Sequence, residues 1–379
     1  EIHTMLRYLA HDTLEEHGLA AFDAFISTFG APKTDWELSP TGTTWRQKTR
    51  MAGFDNMPEL QSLWRAAADV QTAETLNLPT PDCEMHIVEA KPTQLQQELM
   101  QELSDRADAV QAGGVDSHID NNLLITSDCR KVGLDPRLVD PTLEDNPNTK
   151  LNQCVDNVFN IWTETAEKRS TQLIFCDLGV PHKNQQQKAD VSEMTNQDVI
   201  QDADDDVSIS ELFSLEEELP FCVYDDIKEK LVARGVPAEE IAFIHEAKTE
   251  TQKSALFEKV RNGDVRVLIG STPKMGTGTN VQDKLIALHD LDIPWRPADL
   301  EQRRGRMVRQ GNENDKVHLF RYVTTGTFDA VSYQTLEAKQ KFIGQVMTNQ
   351  AVGRSCEDID QSALSYAQIK ASLHRRYQI

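Results

Sequence analysis

The stretch "VLIGSTPKMGTGTNVQ", residues 267–282, opens on Val267, Leu268 and Ile269 and then enters a segment carrying Gly270, Gly276 and Gly278. A short apolar run closed by glycines reads as a strand buried on both faces that ends in a loop. The same unit recurs on either side. "QLIFC" (172–176), "IAFIH" (241–245), "LIALHDL" (285–291) and "KVHLFRYV" (316–323) read as further strands. Helical spacing of apolar residues is seen over 151–168, 221–234, 249–261, 298–309 and 328–347. Strands alternating with helices predict an α/β domain, a parallel sheet covered on both faces. Glycines just past a strand's carboxyl end let backbone N–H groups approach a phosphate, at the edge where open α/β sheets place ligands.

Residues 1–150 read differently. "TLEEHGLAAFDAFISTF" (13–29) and "ELQSLWRAAADV" (59–70) predict helices, a short strand is expected at Met85–Val88, and a helix follows with Leu95, Leu99 and Leu103 on one face. Residues 112–149 are rich in Gly, Asp, Asn and Pro with weak periodicity, which predicts a connector. The expected division is a mainly helical region over 1–150, the α/β domain over 151–350, and an extension over 351–379. The chain begins at Glu1 without an initiator Met or a signal-like segment and reads as a piece of a longer polypeptide.

The 379 residues suffice for two ordinary domains. With a mean hydropathy of −0.51 and no apolar run of membrane-spanning length, a soluble cytoplasmic protein with no membrane partner is expected. Six cysteines are scattered without a CxxC pair or a Cys/His cluster at ligand spacing, so neither a disulfide nor a structural metal is expected. The formal net charge of −22 argues against a generally basic nucleic-acid surface. Much of it is local, however. Residues 190–226 hold thirteen Asp or Glu and no Lys or Arg, more than half of the net charge. That segment, an insertion at about 184–218, reads as a solvated insertion or as an acidic lid imitating DNA.

Against this background "EQRRGRMVRQGN", residues 301–312, places four arginines in twelve positions. On a helix, Gln302, Arg306 and Arg309 fall within about 60° of one another, away from Leu300, Met307 and Val308. Two guanidiniums and an amide on one side suit a polyphosphate, which such forks bind bidentately. The plainer alternative is a surface helix balanced by Asp299 and Glu301.

Taken together, "STPKMGTGTNVQ", "LIALHDLDIPWRPADLEQRRGRMVRQG" and "VHLFRYVTTGTFDAVSYQTLEAKQ" resemble the second RecA-like lobe of superfamily 2 helicases, in particular the Swi/Snf-like DNA translocases. "EIHTMLRYLA" is similar to the segment that follows the first lobe in such proteins. "KLVARGVPAEEIAFIHEA" resembles large phage and plasmid proteins that join such a helicase to a DNA methyltransferase. The resemblance implies an ATP-dependent helicase or translocase acting on DNA, with ATP and Mg²⁺ bound mainly by an upstream lobe. It implies that Arg306, Arg309 and Gln302 face the ATP γ-phosphate. It further implies that Gly276, Gly278 and Asn280 couple nucleotide to nucleic acid, and that Ser271, Thr272, Lys274 and Thr277 lie near the DNA backbone. Phe175 to Asp177, and His245 with Glu246, match weaker motifs of the same lobe.

Two departures limit this reading. The sequence has no GxxxxGK[ST] and no Asp-Glu-x-His run, so the phosphate cradle and the Mg²⁺ ligand are expected upstream, and this segment is expected not to hydrolyse ATP alone. No Asn-Pro-Pro-Tyr or Asp-Pro-Pro-Tyr run occurs either, so a methyltransferase would lie outside it. A non-catalytic DNA-docking module or a regulatory module of a DNA-modifying protein remain the alternatives.

Overall fold

The computed structural model describes residues 2–38, 45–69, 78–113, 115–116, 119–181, 221–276, 278–347 and 355–357. The acidic segment 190–218, Thr277 and residues 358–379 lie outside the described residues.

Six strands form one parallel sheet in the order β3-β8-β7-β4-β6-β5, where β3 is Asp82–Ala90, β4 Thr171–Phe175, β5 Ile241–Phe243, β6 Val267–Gly270, β7 Leu285–Asp290 and β8 Lys316–Thr324. This is the α/β architecture expected, a parallel sheet flanked by helices. β4 and β6 are buried at every position, as strands covered on both faces must be.

Alternation along β4 assigns its residues to two cores. Ile174 joins Val267 and Ile269 beneath Leu151, Val155 and Val158 of α7 (Lys150–Glu164) and Tyr224, Ile227 and Leu231 of α8 (Val223–Ala233). Leu173 and Phe175 join Leu268 and Leu288 beneath Phe257 and Val260 of α9 (Glu250–Asn262), with Met275, Val281 and Met307. α9 begins at a reciprocal capping box between Thr249 and Gln252. It ends at Gly263, whose φ of 82° only glycine adopts without strain.

Three corrections to the expected organisation follow. The strand expected at Met85–Val88 runs from Asp82 to Ala90 and pairs with β8 along its whole length. The sheet therefore reaches back across residue 150. Second, the expected connector contains α6 (Asn122–Leu134), which packs Ile125, Cys129 and Val132 against Met100, Leu103, Ala107 and Val110 of α5 (Gln94–Gln111) and against Phe328. Thr126 and Ser127 are also buried, so α6 has no broad polar face to make its period visible. Third, the mainly helical amino-terminal region also holds a hairpin that was not expected. α1 (Ile2–Leu9), α2 (His11–Glu16), α3 (Phe22–Phe29) and α4 (Met57–Ala67) enclose a small core of Leu6, Leu14, Phe25, Phe29, Leu60 and Trp64. Between α3 and α4 runs an antiparallel hairpin, β1 (Gly30–Leu38) and β2 (Trp45–Asp55), and β9 (Ser355–Glu357) pairs with β2.

α12 (Phe328–Met347) follows β8 and packs against both α4 and α6. At its start Lys150 Nζ meets Asp329 Oδ2 at 2.5 Å, a buried ion pair in which the same carboxylate oxygen accepts the Thr324 N–H. Among the described residues, no helix is long and apolar enough to cross a membrane.

Candidate functional site

The carboxyl ends of β4, β6 and β7 bring three loops together. β6 ends at Gly270, whose lack of a side chain permits close packing. A Cβ there would fall 2.4 Å from Ile244 Cγ2 and 2.7 Å from Met275 Cγ. Ser271 precedes the one-turn helix α10 (Thr272–Met275), and Gly276 follows it with a Cβ position 2.4 Å from the Thr272 carbonyl. Gly278 has φ +69° and open space around it. The β7 end presents Asp290 and Asp292, and the chain then enters α11 (Pro297–Arg304).

The organising group is Arg303, fully buried and held on all sides. Its Nε and Nη2 donate to Thr272 Oγ1 at 2.9 and 2.6 Å, Nη1 donates to Asp290 Oδ1 at 3.1 Å and to the Asp292 carbonyl at 3.0 Å, and Nη2 reaches Asp177 Oδ2 at 2.9 Å and Asp292 Oδ1 at 3.1 Å. Thr272 donates in turn to Asp177, through its N–H at 2.6 Å and its hydroxyl at 2.8 Å. The Asp177 N–H donates to Asp292 Oδ2 at 2.6 Å, closing the ring of contacts. Burial works against charge on Arg303 more than any other influence, yet Asp177, Asp292 and Asp290 together hold its pKa above the ordinary value. Burial pushes Asp290 and Asp292 upward. The network locks strand ends β4, β6 and β7 to α11.

The helix expected over 298–309 stops at Arg304, with Gly305 as its C-cap. Gln302, Arg306 and Arg309 therefore do not share one helix face. The chain leaves the helix because Met307 is drawn wholly into the core under the sheet, with Val308 packed beside it. Turns at Arg306, Met307 and Arg309 replace the helical hydrogen bonds. Two of the three side chains approach the glycine loop from outside a common helix face. Arg306 Nη1 donates to the Thr279 carbonyl at 3.1 Å, and Nη2 donates to the Gly276 carbonyl. Gln302 Oε1 lies 3.4 Å from where a Cβ on Gly276 would be. Arg309 is exposed and close enough that its charge, after burial, lowers the pKa of Arg306.

Both hydrogen bonds of Arg306 go to backbone carbonyls and neither to a carboxylate. Its Nε is buried without a partner, as is Thr279 Oγ1 on the same loop, and both can donate. A half-buried cation beside a second arginine and unsatisfied polar groups is an arrangement that an anion would complete.

The remaining residues singled out in the sequence divide. Ser271 and Thr272 are buried, and the Thr272 hydroxyl is committed to Asp177 and Arg303 rather than turned outward. Lys274, Gly278 and Asn280 are exposed on the loop, and the Asn280 carbonyl accepts from Arg261 Nη1 at 2.7 Å. His245 lies in a tight turn after β5, its ring edge-on to Tyr224 with centroids 5.3 Å apart. Burial and then the Lys274 charge lower its pKa to about 4, against an opposing effect of Asp177. Sequence reasoning passed over Arg303, although it shares a helical arc with buried Leu300 and Met307.

Residues 219–311 match the family described as the helicase conserved C-terminal domain. The chain is 32% identical over 74 residues to the defense against restriction protein B of Escherichia phage P1, covering 20% of this chain and 3% of that protein. It is 30% identical over 112 residues to the putative ATP-dependent helicase/translocase YwqA of Bacillus subtilis (strain 168), covering 30% and 12%. It is 34% identical over 90 residues to the uncharacterized ATP-dependent helicase YqhH of the same organism, covering 22% and 15%. The chain thus spans a small part of these relatives' own lengths. Among solved structures, the C-terminal part of the Fun30 ATPase domain aligns with 78% of this chain and 97% of that one, at 11% identity and a TM-score of 0.47. The segment carrying the glycine loop and its arginines is similar to the C-terminal domain of ATP-dependent helicases.

Proposed function

We propose that this chain is the C-terminal lobe of an ATP-dependent DNA translocase of the Swi/Snf-like type. In this reading Arg306 and Arg309, with Gln302 beside them, contact the nucleotide phosphates from across a cleft. The observation that carries it is the Arg306 guanidinium on the Gly276 and Thr279 carbonyls, beside Arg309, with Nε and the Thr279 hydroxyl unsatisfied. These groups fit the anionic end of ATP. The carboxylates at this edge, Asp177, Asp290 and Asp292, face Arg303 and balance its charge, which does not suit them to hold the Mg²⁺ that would accompany ATP. A second lobe, with a phosphate-binding loop and metal ligand that this sequence lacks, would hold Mg²⁺ and most of the nucleotide. ATP supplies the free energy of phosphoryl transfer, and the arginines of this chain would offset charge developing on the transferred group.

Gly276, Gly278 and Asn280 would couple that event to DNA held by its phosphates along the exposed side of the loop, where Lys274 stands. The buried Arg303 network gives the loop and the arginines one rigid base, so that closing and reopening of two lobes moves them as a unit. The match to a phage protein supports a source among mobile elements, and a linked methyltransferase is part of this proposal. In the protein that joins this lobe to its partner lobe, Arg306→Ala and Arg309→Ala are expected to lower DNA-stimulated ATPase by on the order of 10³-fold while DNA affinity changes little. Turnover unchanged in both variants would remove the proposal. This chain alone is expected to hydrolyse no ATP.

A further inference from the structure

We propose that Glu84, His86 and His318 form a binding site for a divalent transition-metal ion, with zinc the ion their donor set suits best. The site lies near the amino ends of β3 and β8, opposite the edge that carries the glycine loop. Register creates it. Glu84 stands directly across the ladder from His318, and His86 follows two residues on, on the same face. One donor atom from each lies within 4.8 Å of the others. His86 Nε2 is 3.0 Å from His318 Nδ1, and His318 Nδ1 is 3.8 Å from Glu84 Oε2.

Two nitrogens bound to one tetrahedral zinc at about 2.0–2.1 Å are about 3.3 Å apart, so the imidazoles need to open by only a few tenths of an ångström. Two imidazoles and a carboxylate suit zinc, and partial exposure of all three leaves a fourth position for water. The rings are held in place from behind. His86 stacks on Phe320 with centroids 4.7 Å apart, and Phe320 stacks on His289 at 4.9 Å.

A competitor is built into the same face. Lys316 Nζ lies 2.5 Å from Glu84 Oε2. Metal and Lys316 therefore compete for the Glu84 carboxylate. A bound ion would fasten the edge strand β3 to β8 through side chains as well as backbone.

The test is a titration of Zn²⁺ into chelator-treated protein, followed by calorimetry and by melting temperature. One Zn²⁺ per chain and a higher melting temperature are expected. His86→Ala and His318→Ala should each weaken binding by at least about 100-fold, since losing an outer-shell partner alone costs about 10- to 100-fold. Lys316→Met, which removes the competing cation without touching a ligand, should bind Zn²⁺ more tightly than the parent. Equal affinity in the His86→Ala/His318→Ala double variant, or no gain in Lys316→Met, would overturn the assignment. Should a histidine variant fail to fold, Glu84→Gln and Lys316→Met still decide it by moving affinity in opposite directions.

Discussion

Arg303 and Asp177, 126 positions apart in the chain, meet at 2.9 Å at the carboxyl edge of the sheet. The guanidinium is completely buried and also faces Asp290 and Asp292. Replacing Arg303 with Met would leave these carboxylates clustered without their cation. We expect a loss of about 3–5 kcal/mol in stability. Arg303→Lys should recover little, because one ammonium cannot span the four partner residues that the fork reaches. Urea denaturation of both variants measures this, and a loss below about 1 kcal/mol would contradict the structural role given to Arg303.

The Lys150–Asp329 pair makes a separable prediction. Lys150→Met strands a buried carboxylate and should cost about 3–5 kcal/mol, whereas Lys150→Met/Asp329→Asn should recover a large part of that. The Asn amide oxygen can still accept the Thr324 N–H that Asp329 now accepts. A double variant no more stable than Lys150→Met would show that the pair's charge is not the source of the loss.

Gly276 and Gly278 should respond differently to alanine. At Gly276 the added carbon would fall 2.4 Å from the Thr272 carbonyl, a backbone atom that cannot step aside. At Gly278 the space is open and only the positive φ resists, costing about 1–2 kcal/mol. Gly278→Asn should therefore be nearly as stable as the parent, while Gly276→Ala should lose about 1–3 kcal/mol and shift the seat of Arg306. Thermal melts of the two variants side by side check the order.

Acid sensitivity should trace to His289. Its ring is fully buried between the Tyr322 hydroxyl at 2.8 Å and the Gln172 side-chain oxygen at 3.0 Å, and burial lowers its pKa to about 3. Because the folded pKa is depressed, the stabilisation is complete above the unfolded value near 6.5. It is lost as pH falls toward 3, at up to about 1.4 kcal/mol per pH unit. His245, depressed to about 4 by burial and Lys274, adds to the same window. His289→Gln should flatten the fall in stability between pH 6 and about 4, as read from urea midpoints at each pH.

Strands β4, β5 and β6 were legible because β5, β6 and the core of β4 are short apolar runs, buried at every position because both faces are covered. What escaped the sequence was set by long-range packing. α6 shows no clean period because it is buried on several sides. The early end of α11 depends on Met307 being drawn under the sheet, which overrides a helical pattern that continues to residue 309. Arg303 could have been found. It lies three residues after Leu300 and four before Met307, so an apolar arc predicts an arginine turned inward and in need of acids. Glu84, His86 and His318 could not, because only the parallel register of β3 with β8 sets Glu84 opposite His318, more than 200 positions later, with His86 two residues on along the same face.

The pairing of Phe54 with Cys356 has a consequence for the order in which the molecule is made. A ribosome delivers the hairpin β1–β2 about 300 residues before the strand that borders it. Until then β2 offers an open row of N–H and C=O groups to any neighbour. The hairpin therefore waits for a strand that comes much later in the chain, and nascent chains arrested before residue 355 should aggregate more readily than those that extend past it.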